Sequence, residues 1–530
     1  MRGFIMLQRK YIILTSLTMC MVAGCGTTAQ NNNDTDVHII EENEHYREII
    51  NVAITADPPT LDTVITSSNI TKDIGMHVYE ALFTMNEEFK PVPMLAESYE
   101  VNEDFTEFSF TLRDNVTFHN NKKMTAEDVV DSMNYWLENS ERAQAILPDG
   151  KFTVTDKLTL TATFEDSALD LITLMSSRTE MPAIRPSEVY NDINDEVAEY
   201  IGTGPYKLQE WNHDQYISLE KYDNYIPRDE DPDGYSGKKT VPTPYIKYHI
   251  VTDESTQLAG LLTGEYDIGG VSSDNLDQIK KEENLSVETG RGGGTLVATF
   301  NVNNGIFSNK KARQAVLASL DLDNIMLNAY GDEDLYEIAP GYMDPKSTYW
   351  GKQPDVDFYN KHDIEYGQEL LAEANYNNET VHLLTTPDYQ EMYNATITME
   401  DQLKQLGIET SVDQYDFPTF MENRAQESGW DIFITSNAYQ VLPGQVLSLN
   451  PEWGGAKDDT FLSMIDEMGH ATSMDEKIDA WNNLQDYMYN DYVPSIVLGQ
   501  YKSYVVYNKD IEGMDYIEQP VLWNAKIKEK

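Results

Sequence analysis

Cysteine and the basic residues are both scarce in this chain. Its 530 residues include two cysteines, Cys20 and Cys25, which both lie near the amino terminus. The rest of the chain therefore has neither a disulfide framework nor a thiol or cysteine-zinc site. Lysine and arginine number 38 against 90 aspartates and glutamates, which gives a formal net charge of −52. A charge of this sign disfavours binding to nucleic acid or to anionic lipid surfaces.

The motifs of common enzyme and metal-site classes are missing as well. The nine histidines are scattered and show no metal-ligand spacing such as HExxH. There is no P-loop and no Gly-x-Ser-x-Gly nucleophile elbow. The glycine-rich segment Gly202–Tyr206 lacks the Lys-Ser/Thr pair and the helix that a phosphate loop needs. We therefore expect a binding protein that is not an enzyme and that has no metal site and no cofactor.

The amino terminus resembles an export signal that ends in a lipid anchor. Three basic residues precede an apolar run from Tyr11 to Gly24, which is too short to span a bilayer, and no later segment approaches that length. Residues 22–25, VAGC, resemble a bacterial lipobox, which implies removal of residues 1–24 and diacylation of Cys25. The alternative is an ordinary secretory signal with a chance cysteine. Residues 25–46 are polar and acidic and predict a flexible tether.

The remaining chain is too long for one hydrophobic core and long enough for two or three lobes. Helix and strand patterns alternate between residues 365 and 434, which indicates a sheet with packed helices. The predicted elements there are helix Glu365–Ala374, strand Val381–Thr385, helix Tyr393–Leu406, strand Ile408–Val412 and strand Trp430–Ile434, followed by a loop from Ser436 to Gly444.

Three stretches of the sequence resemble the signatures of one protein family. Leu95–Glu138 contains LAESYE, FTLRDNVTFHNN and TAEDVV in that order, Gly202–Tyr225 contains GTGPYKLQEW and YDNY, and Thr295–Asp321 contains FNVNNGIFSNKKARQAVLASLD. Together they resemble the peptide/nickel family of ABC-transporter substrate-binding proteins. Asn121 stands where that family usually has glycine.

This resemblance implies an α/β, two-lobed periplasmic-binding-protein-like fold of type II, in its large peptide-binding subclass. We expect lobe one to span residues 47–300, with an inserted subdomain at about residues 80–195. Lobe two would span residues 301–498, and residues 499–530 would return to lobe one. Two or more connecting strands would then form a hinge.

The function that the resemblance implies is capture of a solute outside the cytoplasm. We expect a lipid-anchored monomer on the extracytoplasmic face of a bacterial cell membrane. It would bind peptides and deliver them to an ABC permease and its ATPase subunits by closing its cleft. The alternatives are the same fold binding a metal chelate or a saccharide, and a surface sensor that does not transport.

Candidate ligand-binding residues follow from the same resemblance. In relatives the loop before the first helix faces the ligand, which suggests Ser67, Ser68 and Asn69. The alternative is a plain turn followed by a helix N-cap.

A second group of candidates is expected near the crossing between the lobes. Arg291, Gly292 and Gly293 lie on a strand that runs along the cleft in relatives, and glycine lets a backbone approach a neighbour closely. The alternative for this segment is a mobile hairpin tip. Tyr349 and Trp350, in a loop, are candidates to contact a solute, with core packing as the alternative.

The charged anchors that hold peptide ends in relatives are missing here. The loop Ser436–Gln440 contains Asn437 and Tyr439 where peptide binders have an aspartate, and Thr386 stands where dipeptide binders have an arginine. A charge pair stabilises a ligand only when both partners are present. Longer or capped peptides held by backbone hydrogen bonds are therefore favoured over short free peptides. Arg313 matches a family arginine, and we interpret it as structural.

Overall fold

The computed structural model describes residues 45–66, 68–190, 197, 199–450 and 458–529, apart from the side chains of Arg291 and Leu447. The predicted leader, the predicted lipidation site Cys25, almost all of the predicted tether and Ser67 lie outside the described residues. No helix within the described ranges is both long enough and apolar enough to cross a bilayer.

Strands and helices alternate along the described chain. The strands are β1 (Ile49–Ile54), β2 (Phe83–Met85), β3 (Pro91–Pro93), β4 (Ala96–Val101), β5 (Glu107–Leu112), β6 (Lys151–Asp156), β7 (Thr159–Thr163), β8 (Tyr206–Asn212), β9 (Tyr216–Lys221), β10 (Tyr245–Ile250), β11 (Ile268–Gly269), β12 (Leu285–Phe300), β13 (Tyr336–Glu337), β14 (Val381–Thr385), β15 (Thr410–Gln414), β16 (Ile432–Ala438), β17 (Ser495–Asn508), β18 (Ile511–Glu512), β19 (Asp515–Tyr516), β20 (Pro520–Val521) and β21 (Lys526–Ile527). The α-helices are α1 (Asn69–Val78), α2 (Ala126–Asn139), α3 (Glu141–Ile146), α4 (Leu171–Ser176), α5 (Glu254–Thr263), α6 (Leu276–Ile279), α7 (Lys310–Ser319), α8 (Leu322–Tyr330), α9 (Ile364–Glu373), α10 (Gln390–Leu406), α11 (Phe417–Arg424), α12 (Asp459–Gly469) and α13 (Met474–Tyr487).

One large sheet organises the fold. Its strand order is β15-β14-β16-β12-β17-β11-β1-β10-β9-β8, and β13 pairs with β17 off this path. At one end β14 pairs in parallel with β15 and β16, and at the other end β1 pairs in parallel with β10 and β11. The two parallel groups are joined by the antiparallel strands β12 and β17.

The long strands β12 and β17 are the connection between the two groups. β12 has 16 residues and β17 has 14, and they pair from Leu285 with Asn508 to Thr299 with Ser495. Their register shifts between Thr289 and Gly293. Two strands therefore cross between the halves of the molecule, which is the arrangement of a hinge. The residue boundaries of the predicted lobes stay a prediction.

A second, four-stranded sheet lies within the predicted inserted subdomain. Its order is β4-β5-β7-β6, with every neighbouring pair antiparallel. The alternating side chains Phe108 and Phe110 are buried on one face of β5, and Trp136 of α2 is fully buried in the same core. The helix α2 begins after Thr125, and the Asp128 carboxylate accepts hydrogen bonds from the Thr125 backbone N–H and hydroxyl at 2.9 and 2.8 Å.

Two sequence predictions are corrected by strand pairing. The strand β16 continues to Ala438 because it stays paired with β12 up to Gly294, so Ser436 and Asn437 lie in a strand and not in a loop. The segment around Gly292 is part of the continuous strand β12, so the alternative of a hairpin tip is wrong. Arg313 is structural, as predicted, because its buried guanidinium donates to the carbonyl oxygens of Tyr492 and Val493.

Candidate functional site

The carboxyl ends of two parallel strands meet at one edge of the sheet. Thr386 follows β14 directly and is fully buried, and its hydroxyl accepts a hydrogen bond from the backbone N–H of Asp388 at 3.2 Å. Glu391, in the first turn of α10, accepts a hydrogen bond from the Ser436 hydroxyl near the end of β16 at 3.2 Å. Ligands of open α/β sheets bind outside such strand ends. The structure thus brings Thr386 and the end of β16 to the same edge.

Asn437 is the candidate with an unsatisfied polar atom. Its side chain is 6% exposed, and its Nδ2 donates to the hydroxyl of Thr295 at 3.4 Å. Its Oδ1 is buried and has no hydrogen-bond partner among the described residues. Leaving a buried acceptor unpaired costs about 1–3 kcal/mol. A ligand that donates an N–H or O–H to this oxygen would remove that cost.

Tyr439 lies two residues further, directly after the last residue of β16. Its ring is 7% exposed and stacks on the ring of Phe89, with 4.5 Å between centroids and 27° between planes. Burial, followed by the negative charges of Asp344 and Glu518, raises the pKa of the Tyr439 phenol well above its usual value. The phenol is therefore neutral and offers a hydroxyl without charge.

The glycines of β12 allow the neighbouring strands to come close. A Cβ added at Gly293 would lie 1.8 Å from the carbonyl oxygen of Tyr501 on β17, which no side chain could accommodate. A Cβ at Gly292 would lie 3.1 Å from both Tyr439 and Glu518. Gly292 is thus in contact with the Tyr439 ring. Arg291 has its backbone in the same strand, but its side chain lies outside the described part of the chain.

The two aromatic candidates of the next loop have different environments. Tyr349 is 39% exposed, whereas Trp350 is 2% exposed and belongs to the hydrophobic core. The rings meet edge-on with 6.5 Å between centroids. Packing therefore accounts for Trp350, and Tyr349 is the one of the pair that a solute could reach.

The loop before α1 has the geometry of a helix start. Ser68 is the N-cap of α1, and its hydroxyl accepts from the backbone N–H of Thr71 at 3.4 Å. Asn69 is the first residue of the helix. The alternative interpretation, a helix N-cap, thus describes Ser68. Ligand contact by Ser68 and Asn69 stays a prediction, and Ser67 lies outside the described residues.

Four residues near these candidates were missed by sequence reasoning, namely Phe89, Asp344, Glu391 and Glu518. Burial raises the pKa of the Asp344 carboxyl. Glu518 accepts hydrogen bonds from the Tyr235 hydroxyl at 3.1 Å and from the guanidinium of Arg178 at 3.4 Å. Each is far along the chain from the residues that it faces, so no local pattern marks it.

The comparisons with known proteins agree on the family and the fold. The family described as bacterial extracellular solute-binding proteins, family 5 Middle, matches residues 90–451. A probable peptide ABC transporter periplasmic-binding protein of Sinorhizobium fredii is 26% identical over 495 residues, covering 88% of this chain and 91% of that protein. The solved substrate-binding protein CtaP of Listeria monocytogenes has a TM-score of 0.79 and 19% identity, covering 92% of this chain and 100% of that one. NikZ of Campylobacter jejuni, solved in complex with Ni(L-His), has a TM-score of 0.72 and 18% identity, covering 90% and 99%.

Proposed function

We propose that this chain, which belongs to family 5 of the bacterial extracellular solute-binding proteins, captures peptides in its cleft and delivers them to an ABC importer. A solute-binding role in transport is the role of the family. The Sinorhizobium fredii relative is named for peptide transport, which supports a peptide as the solute. The two-lobed α/β fold, with β12 and β17 crossing between its halves, supports capture by closure around the ligand.

The observation that carries the peptide proposal is the unpartnered Oδ1 of Asn437 at the end of β16. An extended peptide presents backbone N–H groups at regular spacing and can be bound like an added strand. One such N–H would pair with the buried amide oxygen. The uncharged Tyr439 hydroxyl nearby suits the same kind of ligand.

The bound peptide would be held by its backbone more than by its charged ends. Asn437, Tyr439 and Thr386 are all uncharged at the positions where relatives are expected to have charged anchors. A single charge without its partner contributes little to specific binding and is costly to bury. We therefore propose a longer or end-capped peptide as the natural ligand.

The location is part of the proposal. Cys25 would carry diacylglycerol after removal of residues 1–24, and residues 25–46 would hold the folded body away from the membrane as a tether. The lipobox-like VAGC sequence supports this assignment. The protein would work as a monomer beside its permease and ATPase subunits.

A small metal chelate is the second candidate ligand. It is suggested by NikZ, which was solved with Ni(L-His). A chelate would have to complete its own coordination sphere, because the described residues contain no group of three or more His, Cys, Asp or Glu side chains placed to hold a metal. The ligand would then be recognised through its organic part.

Identification of the bound compound tests these alternatives. The full chain would be purified gently from membranes and denatured, and the released compounds would be identified by mass spectrometry. We expect a set of peptides. A single chelate or saccharide would contradict the peptide proposal. An empty preparation leads to a thermal-shift screen, in which a ligand at about 100 times its Kd adds about 2.7 kcal/mol of stability.

Substitution of Asn437 then tests the site. We expect Asn437→Leu to weaken peptide binding by roughly 2- to 12-fold, since a neutral hydrogen bond contributes about 0.5–1.5 kcal/mol. Asn437→Asp keeps an acceptor oxygen and should bind more tightly than Asn437→Leu. The control is Asn303→Ala, at an exposed asparagine in a turn. Equal affinity of Asn437→Leu and the unaltered protein, measured by calorimetry, would show that this amide does not contact the ligand.

A further inference from the structure

The hairpin that joins β2 to β3 has a tightly held tip. The Asn86 Oδ1 accepts hydrogen bonds from the backbone N–H groups of Glu88 and Lys90 at 3.0 and 2.9 Å. The carboxylate of Asp233 accepts from the backbone N–H of Glu87 at 2.9 Å and from the Asn86 amide at 3.3 Å. These bonds fix the backbone of the tip from both sides.

Phe89, within this tip, adopts a backbone conformation that is unusual for its residue type. Its φ is +56°, in the left-handed region that bulky residues rarely occupy. Such strain persists only where the surrounding structure imposes it, and it is concentrated at functional positions. The conformation turns the Phe89 ring onto the ring of Tyr439, at 4.5 Å between centroids.

The hairpin tip reaches residues that lie between β12 and β17 in the sequence. Besides the ring stack, the Thr348 hydroxyl donates to the carbonyl oxygen of Glu88 at 3.3 Å. Gly292 of β12 completes the contact, because a Cβ there would lie 3.1 Å from the Tyr439 ring and 3.3 Å from the Phe89 ring. The two rings and the glycine backbone thus leave no gap between them.

Phe89 also contributes to an open pocket. Residues 86–90, together with Asp233, Lys346 and Thr348, line an open pocket of about 780 Å³. Phe89 belongs to this lining and is also stacked on Tyr439. Phe89 thus takes part both in the lining of this outer pocket and in the ring stack on Tyr439, two residues after Asn437 and its unpartnered oxygen.

We propose that Phe89 is a specificity-determining residue whose ring, stacked on Tyr439, is the wall that ends the ligand cleft and sets where one end of a bound peptide must stop. This inference rests on the proposed function of peptide capture. It explains how a peptide end can be positioned without a charged anchor, because an apolar wall defines the end by exclusion. The natural ligands should share a fixed end at this wall and vary in length away from it.

The first test is the length of the peptides that bind to Phe89→Ala. Affinities for a series of acetylated peptides, extended one residue at a time at either end, would be measured for the full chain. The unaltered protein should lose at least roughly tenfold in affinity once the peptide extends past the wall, and Phe89→Ala should accept the extension. Phe358→Ala is the matched control, since Phe358 is also partly exposed and stacked on a tyrosine, Tyr366, at 4.9 Å. The same length limit in Phe89→Ala and the unaltered protein would overturn the proposal.

A second measurement requires no ligand. Asn437→Cys would be introduced in the full chain together with Cys20→Ser and Cys25→Ser, so that the new cysteine at position 437 is the single thiol. We expect Phe89→Ala to raise its alkylation rate by a bulky maleimide by roughly 2- to 12-fold, the contribution of one stacked aromatic pair, and Phe358→Ala to leave the rate unchanged. An unchanged alkylation rate in Phe89→Ala would refute the proposal that Phe89 forms a wall. If no peptide binds to any variant while the alkylation rate rises, the peptide function fails and the wall stands.

Discussion

A buried histidine, His77, should make the stability of this protein fall in mild acid. The side chain is fully buried near the end of α1. The backbone N–H of Leu522 donates to its Nε2 at 3.2 Å, so Nε2 has to be the acceptor. Its Nδ1 therefore carries the hydrogen and donates to the carbonyl oxygen of Asp73 at 3.0 Å. A second proton would have to displace the Leu522 N–H.

The electrostatic environment agrees with this geometry. Burial, only partly opposed by the hydrogen bond to the Asp73 carbonyl, lowers the pKa of His77 from 6.5 to about 4. The unfolded chain binds the proton more readily than the folded protein over this interval, so stability is complete above about pH 6.5 and is lost as the pH falls towards 4. For a single group with these two pKa values, the free energy of unfolding decreases by about 2 kcal/mol between about pH 7 and about pH 5.

His119 should add to the same effect. The backbone N–H of Gly202 donates to its Nδ1 at 3.2 Å, and its Nε2 donates to the carbonyl oxygen of Gly204 at 3.0 Å. Burial lowers the pKa of His119 to about 4 as well. Both imidazoles are thus held neutral by backbone groups on both nitrogens, in opposite tautomers.

The assay is urea denaturation of the unaltered protein and of His77→Gln at about pH 7 and about pH 5. Glutamine is neutral at both pH values and can still donate and accept. We expect His77→Gln to be less stable at neutral pH but to lose about 2 kcal/mol less on acidification than the unaltered protein. His470→Gln is the control, because His470 is exposed. The same loss on acidification in His77→Gln and the unaltered protein would show that His77 accepts its proton without cost, which would refute the reasoning.

Two further predictions concern a buried ion pair and the lipid anchor. Asp62 and Arg185 are both fully buried and are 2.7 Å apart, so Asp62→Asn should lower the free energy of unfolding by about 3–5 kcal/mol by leaving the guanidinium unpaired. Urea denaturation would compare Asp62→Asn, Arg185→Met and the double variant, and the double variant should regain most of the stability lost in Asp62→Asn. Losses that simply add in the double variant would contradict the prediction. Growth of the cells with a labelled fatty acid should label the unaltered protein but not Cys25→Ala, and equal labelling of both would rule out a lipid linked to this thiol.

The helices and strands whose formation depends on residues close in the sequence could be predicted from it. The strand β14 has the predicted bounds, and α10 ends as predicted at Gly407, whose φ of +99° is readily adopted by glycine. The end of β16 could not be predicted, because its last three residues belong to a strand only through pairing with β12, more than a hundred positions away. The apolar run ends at Ile434, and the polar residues Ser436 and Asn437 resemble a loop in sequence.

The candidate site, too, could be predicted only in part from the sequence. Family resemblance suggested Asn437 and Tyr439 in one segment and Gly292 in another, and the structure places Gly292 against the Tyr439 ring and pairs Asn437 with Thr295 of the same strand as Gly292. Sequence reasoning missed Phe89 because its role depends on a positive φ and on a ring contact to a residue 350 positions away. The sequence NEEFK, residues 86–90, is typical of an ordinary polar turn with one aromatic residue.

The crossing strands and the proposed wall are mechanically connected. A Cβ at Gly290 would lie 2.3 Å from the Ser503 hydroxyl and one at Gly293 would lie 1.8 Å from the Tyr501 carbonyl, so β12 and β17 are in close contact within their register shift and at its end. Gly292, between them, contacts Phe89 and Tyr439. Any bending of the two strands as the lobes open must therefore move the glycine backbone relative to both rings. Because packed contacts of this kind are either made or broken, opening of the hinge should separate the stack, and release of the ligand end should accompany it.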